Sequence, residues 1–293
     1  MTNQVRALIE IFTASFFWGF GFIATMWAME SYTASLTMVY RFLIATVVSG
    51  LVLIIRRKPI LNLKTEVKQG AVAGFLMGVM LLFQAYGLES TSATKNSFIT
   101  SFYIFFVPVI ALVFFRKKIL IFNLVLIAIA LFGCSLLFDM KVESIQRGDV
   151  WTLLCSVVAA LHILYIGYAS KQTKDAFVFN SIQGFFALIT VSFSLLFEKQ
   201  KVIVSDSSQV WAGVLFLALF SSLISFYLQL KSQKYISDST ISMMCLLEAP
   251  FAAFFAFLLL GEKLSSLQLS GTGLILLASL VQCYLESRKS SLP

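Results

Sequence analysis

About ten apolar stretches, each long enough to cross a bilayer, fill almost all of the 293 residues. A hydrocarbon core about 30 Å thick takes about 20 apolar residues per helix. Ten such spans leave no room for a soluble domain. Charged residues make up only 12% of the chain, about half the share usual in water-soluble domains, and mean hydropathy is +0.91. In lipid, only helices and closed barrels satisfy their own backbone polar groups. Barrel strands alternate apolar and polar residues over about ten positions. Leu124–Phe138 is apolar throughout apart from Ser135, so the expected fold is an all-α membrane bundle.

The hydropathy pattern predicts spans at 7–29, 35–55, 69–88, 93–115, 119–138, 149–169, 177–197, 209–230, 238–260 and 267–285. The longest connections are 56–68, 139–148 and 198–208. The first span follows Arg6 and contains Glu10, with no A-x-A site after it, so it reads as an uncleaved helix rather than a signal peptide. Of the 22 Lys and Arg residues, fifteen fall on one set of loop sides: Arg6, the 56–68 loop, Arg116 to Lys118, Lys171 and Lys174, Lys231 and Lys234, and Arg288 and Lys289. Six fall on the other set, and Arg41 lies within a span. Cytoplasmic loops carry the Lys/Arg excess, which predicts both termini in the cytoplasm and a multi-pass protein of the cell (inner) membrane. Cys134, Cys155, Cys245 and Cys283 all fall within spans and read as packing residues rather than a disulfide framework.

The chain also repeats. A shift of 145 places Ser92 on Ser237, Thr94 on Ser239, Ala111 on Ala256, Lys118 on Lys263 and Ile119 on Leu264. The units are then 1–145 and 146–293, with five spans each. An odd number of crossings gives the two units opposite orientations, a 5+5 inverted-topology repeat of the kind that builds alternating-access carriers.

Two stretches carry a resemblance. One runs from Tyr86-Gly-Leu-Glu-Ser-Thr-Ser-Ala-Thr-Lys-Asn-Ser-Phe-Ile-Thr on to Val107-Pro108. The other is Leu247-Glu248-Ala249-Pro250, leading to Leu260-Gly261-Glu262-Lys263-Leu264. With Phe17-Trp18-Gly19 and Arg41-Phe42, they resemble the EamA-type branch of the drug/metabolite transporter superfamily. The resemblance covers essentially the whole chain. It implies a 5+5 inverted-repeat carrier, usually an exporter of amino acids, metabolites or toxic compounds. It also implies a central substrate cavity lined by helices 1, 3, 4, 6, 8 and 9. One departure stands out: Arg116-Lys117-Lys118 occupies the place that Gly261-Glu262-Lys263 holds in the second unit.

Ionisable groups at membrane depth are expensive and point to function. Glu248, mid-span beside Pro250, suits a proton-coupling residue, a counter-charge for an ammonium substrate, or a hydrogen-bonded lock between helices. Pro250 removes an intrahelical hydrogen bond and offers a kink or an exposed carbonyl. Arg41 reads as structural, with snorkelling, a carboxylate partner or an anionic substrate all open. Lys95 and Asn96, with Thr94, Ser97, Thr100 and Ser101, make a polar helix start that is either an outer vestibule or a solvated end. His162, the single histidine, lies 144 residues after Trp18 and is either a switchable group or a packing residue. Trp18, Tyr103 and Tyr165 are candidates to line a cavity, and Gln84, Gln183 and Gln229 place amides inside helices. Gly70, Gly74 and Gly78 form a double G-x-x-x-G that allows close helix packing.

No phosphate-loop, H-E-x-x-H or G-x-S-x-G motif is present in the sequence, and no metal or nucleophile constellation stands out. The expectation is therefore a carrier rather than an enzyme, with no cofactor and no metal. Its expected partners are a small-molecule substrate and the lipid bilayer, not nucleic acid, and it would act as a monomer or homodimer. The expected substrate pathway comprises Trp18, Gln84, Lys95, Asn96, Tyr103, His162, Tyr165, Gln229 and Glu248, with Glu248 as the coupling residue. The alternatives are an uptake carrier for a nucleoside-like or sulfonium metabolite, and a lipid-flippase-like protein.

Overall fold

The computed structural model describes residues 2–57, 63–91, 93–116, 121–138, 145–197, 204–261 and 263–289. Lys58, Ser92, Lys117, Lys118, Ile119, Lys141, Lys199, Lys201 and Glu262 lie outside the described residues, as does the side chain of Thr94. In chain order the helices are α1 (Asn3–Met29), α2 (Ala34–Arg56), α3 (Leu63–Leu88), α4 (Ala93–Thr100), α5 (Tyr103–Phe115), α6 (Ile121–Leu137) and α7 (Arg147–Ala169). They continue with α8 (Ala176–Ser194), α9 (Ser208–Phe216), α10 (Ser225–Ser232), α11 (Asp238–Cys245), α12 (Glu248–Leu260) and α13 (Ser266–Lys289). Among the described residues, nine helical spans are long and apolar enough to cross a membrane, with Ile121–Leu137 as a shorter tenth. Large hydrophobics such as Ile54, Phe75, Phe132 and Leu280 point outward, as a lipid-facing surface requires.

Local chemistry fixes the helix ends. Thr2, Thr33, Asp175, Ser207 and Ser237 cap their helices through side-chain oxygens that accept from backbone N–H groups. The third span reaches further than its apolar run predicts, starting at Leu63. Glu66 explains the extension: it is buried, accepting from the Thr173 hydroxyl and, at 2.7 Å, from Lys174 N–H. At the far ends of α5 and α12, Arg116 and Gly261 both adopt left-handed backbone, with φ of 54° and 67°. Their N–H groups bond to Ala111 and Ala256. The two units thus end this helix the same way, but one uses a residue for which the conformation costs about 1–2 kcal/mol.

Three predicted spans are not continuous α-helices. The fourth breaks at Ser101–Phe102 and the ninth at Leu246–Leu247, which are equivalent places under the 145-residue shift. The ninth-span break precedes Pro250, which sits third in α12. The eighth span carries a π-helical segment, Leu217–Ile224, between α9 and α10.

The packing pattern repeats between the units. The first span lies against the eighth and ninth, as the sixth lies against the third and fourth. The third packs on the seventh as the eighth packs on the second, and the fifth pairs with the tenth. Exchanging spans one to five with six to ten returns the same neighbours, the arrangement expected of two units related by a two-fold axis. The four cysteines are free, three of them buried.

Helices α3 and α8 pack closely through glycine. A Cβ added at Gly74 would lie 2.4 Å from the Gln183 carbonyl oxygen and 2.7 Å from Phe186 Cβ, whereas at Gly184 it would meet nothing within 4 Å. Gly74→Ala is expected to lower stability by about 1–3 kcal/mol through overpacking. Gly184→Ala should be neutral or stabilising by up to about 1 kcal/mol through helix propensity. Thermal unfolding of the two purified variants in detergent tests the contrast, and equal midpoints would refute it.

Candidate functional site

One cavity of about 90 Å³ lies between the units. Six of the nine predicted pathway residues line it: Trp18 on α1, Gln84 on α3, Tyr103 on α5, His162 on α7, Gln229 on α10 and Glu248 on α12. Several lining residues are repeat equivalents of one another. Gln84 and Gln229, Thr100 and Cys245, Tyr103 and Glu248, and Leu81 and Phe226 are each 145 positions apart. The cavity therefore surrounds the axis that relates the two units.

Tyr103 and Glu248 meet across that axis. Each is the first residue of the half-helix that follows its span's break. The Tyr103 hydroxyl donates to Glu248 Oε1 at 3.4 Å. The break on the Glu248 side is held from α1, where buried Ser15 donates to the Met244 carbonyl at 2.8 Å. Gly19 on the same helix lets the backbones close up: a Cβ there would lie 2.9 Å from the Glu248 carbonyl oxygen.

The π-helical segment forms another wall. Wide turns displace carbonyls from the regular ladder, and these need partners in a membrane. Trp18 Nε1 donates to the Ser221 carbonyl at 3.1 Å, Ser225 Oγ to that of Phe220 at 2.8 Å and Asn180 Nδ2 to that of Leu223 at 2.9 Å. Asn180 Oδ1 accepts from Gln183 Nε2, and Gln183 Oε1 pairs with His162 Nε2 at 3.3 Å. His162 is 1% exposed, with its ring edge-on to Phe226. The lone histidine thus joins a chain of amides that ends on the wide turn.

Of the roles open to Arg41, the structure speaks against snorkelling. It is 3% exposed and lines the cavity. Its Nε donates to Ser222 Oγ at 2.6 Å and its Nη2 to Ser221 Oγ at 2.9 Å. No carboxylate lies within ion-pair distance among the described residues. Packing of α2 against the wide turn turns Arg41 inward, so it does not snorkel. An ion buried without a counter-charge costs on the order of several kcal/mol; here two neutral hydroxyls solvate it. The sequence signal available was its depth, two turns inside a span, but not the direction it faces.

Three expected pathway residues lie elsewhere. Lys95 Nζ pairs with Asp149 Oδ2 at 2.6 Å at the start of α7. Asn96 is fully buried and donates to the Gln84 carbonyl and to Thr152 Oγ1. The polar start of α4 is thereby stitched to α7 rather than opened as a vestibule, because Thr91 also donates to Asp149. Tyr165 packs beside Tyr168 and the cluster around Phe179, away from the cavity. Thr100 belongs to the lining, with a buried hydroxyl for which no partner lies at hydrogen-bonding distance and angle among the described residues. Gln183 stands one step behind His162. Gly70, Gly74 and Gly78 meet Ile182, Gln183, Phe186 and Thr190 of α8, the close packing expected of them.

A multi-pass helical bundle of two repeats with a cavity at their interface, lined by residues of both, is the architecture of a membrane transporter. The model of the EamA-like transporter family matches residues 5–139 and again 146–282. The chain belongs to that family. It is 25% identical over 293 residues to the uncharacterized transporter YoaV of Bacillus subtilis (strain 168), covering 98% of this chain and 99% of the relative. It is 26% identical over 216 residues to an uncharacterized transporter of Archaeoglobus fulgidus, covering 74% of this chain and 68% of that one. A solved crystal structure shares the fold, with a TM-score of 0.73 at 16% identity, over 97% of this chain and 99% of the other.

The Lys95–Asp149 pair gives a stability test. Removing one partner of a buried pair costs about 3–5 kcal/mol because the other charge is stranded, while removing both costs less. Lys95→Met is expected to lower the unfolding midpoint more than Lys95→Met with Asp149→Asn. Additive losses in that double-mutant cycle would show the pair to be uncoupled.

Proposed function

We propose that this transporter is a secondary active carrier that exports amino acids or related small metabolites by alternating access. It would work in the cell (inner) membrane with both termini in the cytoplasm, as the Lys/Arg asymmetry supports. The observation that carries the reading is the Tyr103–Glu248 contact inside a cavity lined by both repeats. A contact between equivalent positions lies on the axis about which the two units would rock, so it would be present in the closed core of either half-cycle. A carboxyl at that place can receive a substrate ammonium group, with the Tyr103 hydroxyl orienting it and the Gln84 and Gln229 amides on either side. Transport requires that the substrate contact the two conformations differently. Residues drawn from both repeats satisfy that requirement, because their spacing changes as the repeats move.

Counterflow in proteoliposomes tests this. Vesicles preloaded with unlabelled amino acids should accumulate labelled aromatic and small apolar ones, and an outside excess of the same solute should abolish the accumulation. A hydrogen bond to a charged group contributes about 1.5–3 kcal/mol, and about 1.4 kcal/mol is tenfold in affinity. Glu248→Gln is therefore expected to cut counterflow about tenfold or more, and Tyr103→Phe less. Unchanged counterflow in Glu248→Gln would remove that residue from the mechanism. No counterflow by folded wild-type protein would remove amino acids as the substrates.

A further inference from the structure

We propose that Arg41, seated on Ser221 and Ser222, is an anion subsite of the cavity that takes the carboxylate of the transported molecule. The inference rests on the carrier reading above for the identity of the acid, and on geometry for the subsite. A guanidinium carries five N–H donors in a planar fork that matches a carboxylate with two parallel bonds. In Arg41 the serines engage Nε and Nη2, and no hydrogen bond from Nη1 occurs among the described residues. Neutral hydroxyls orient the fork without cancelling its charge. Among the lining residues the single acidic side chain is Glu248, whose hydrogen bond goes to Tyr103 rather than to Arg41. The buried cation thus lines a cavity whose one acidic side chain is engaged by Tyr103, which leaves the guanidinium open to the charge of a ligand.

Position supports the same conclusion. Trp18 Nε1 holds the carbonyl of Ser221, whose hydroxyl accepts from Arg41, while the next residue of α1, Gly19, lies against the Glu248 backbone. The buried cation and the buried carboxyl therefore line one cavity and reach it beside consecutive residues of α1. A molecule with a carboxylate and an ammonium group satisfies both. The repeat equivalent of Arg41 is Phe186, which lies against Gly74 in the α3–α8 contact and not in the cavity. The subsite therefore occurs once and gives the ligand one orientation.

The alternative role for Arg41 is a staple between α2 and the wide turn, which acts whatever the ligand is. Four probes separate the two: phenylalanine, its methyl ester, N-acetylphenylalanine and phenethylamine. Thermal unfolding in detergent with each probe reads binding without requiring transport. Wild-type protein should be stabilised by the two carboxylate-bearing probes and less by the ester and the amine. In Arg41→Gln the preference for carboxylates should vanish while any response to ester and amine persists; Arg41→Lys, a point charge without the fork, should retain part of it. Equal shifts from acid and ester in wild type, a preserved preference in Arg41→Gln, or no shift from any carboxylate would overturn the subsite. If Arg41→Gln does not fold, the wild-type comparison of acid and ester decides alone. Counterflow judges the carrier reading separately: exchange of ester and acid alike leaves a carrier without this subsite. Stabilisation by carboxylates without exchange leaves the subsite without an amino-acid carrier.

Discussion

In hydrocarbon every backbone N–H and C=O must find a partner within the protein, and an unsatisfied one costs several kcal/mol. A bundle of unbroken helices meets that rule trivially and has little to offer a polar solute. Among the described residues this chain departs from regular α-helix in mid-span at Ser101–Phe102, Leu217–Ile224 and Leu246–Leu247. The wide turn at Leu217–Ile224 is satisfied by Trp18, Asn180 and Ser225, and the break at Leu246–Leu247 is braced by Ser15. Of these partners Trp18 also lines the cavity, while Ser15, Asn180 and Ser225 brace its walls from behind.

The two-fold relation of the units explains where those departures fall. Breaks in the fourth and ninth spans occupy equivalent positions, and the residues that follow them, Tyr103 and Glu248, touch. Symmetry of backbone coexists with asymmetry of chemistry. One unit offers a phenol where the other offers a carboxyl. Arg41 has a phenylalanine as its counterpart. A symmetric frame lets two conformations be close in energy, while the asymmetric lining lets a ligand distinguish its own ends.

Much of this was written in the sequence. Apolar runs of about 20 residues gave the spans, because the bilayer allows few ways to bury them, and the 145-residue shift gave the two units. Depth within a span singled out Glu248 and His162, and aromatic character singled out Trp18; all three line the cavity. The polar start of α4 suggested a vestibule at Lys95 and Asn96, whose partners Asp149 and Thr152 lie more than fifty residues away, so only tertiary structure shows their needs to be met. The direction Arg41 faces had no signal, because a helix with apolar residues on all sides does not declare which face points inward. Applied to polar residues as well as to motifs, the 145-residue shift would have paired Gln84 with Gln229 and Tyr103 with Glu248. The π-helical turn had no sequence signal, since its residues are those of an ordinary apolar helix.

A carrier must move with substrate bound and, unless it only exchanges, also return without it. Two opposite buried charges held apart pose a difficulty for the empty state, because each lacks a full counter-charge. Here the guanidinium rests on two hydroxyls and the carboxyl on a phenol, which reduces the cost without neutralising either group. Under the proposed reading a zwitterionic substrate completes both contacts at once and neutralises the cavity as a whole. The empty carrier then keeps partial solvation from Ser221, Ser222 and Tyr103, enough for it to change conformation. A ligand with only one of the two charges would leave the other stranded in low dielectric, where a uniform attraction to small solutes becomes discrimination between them.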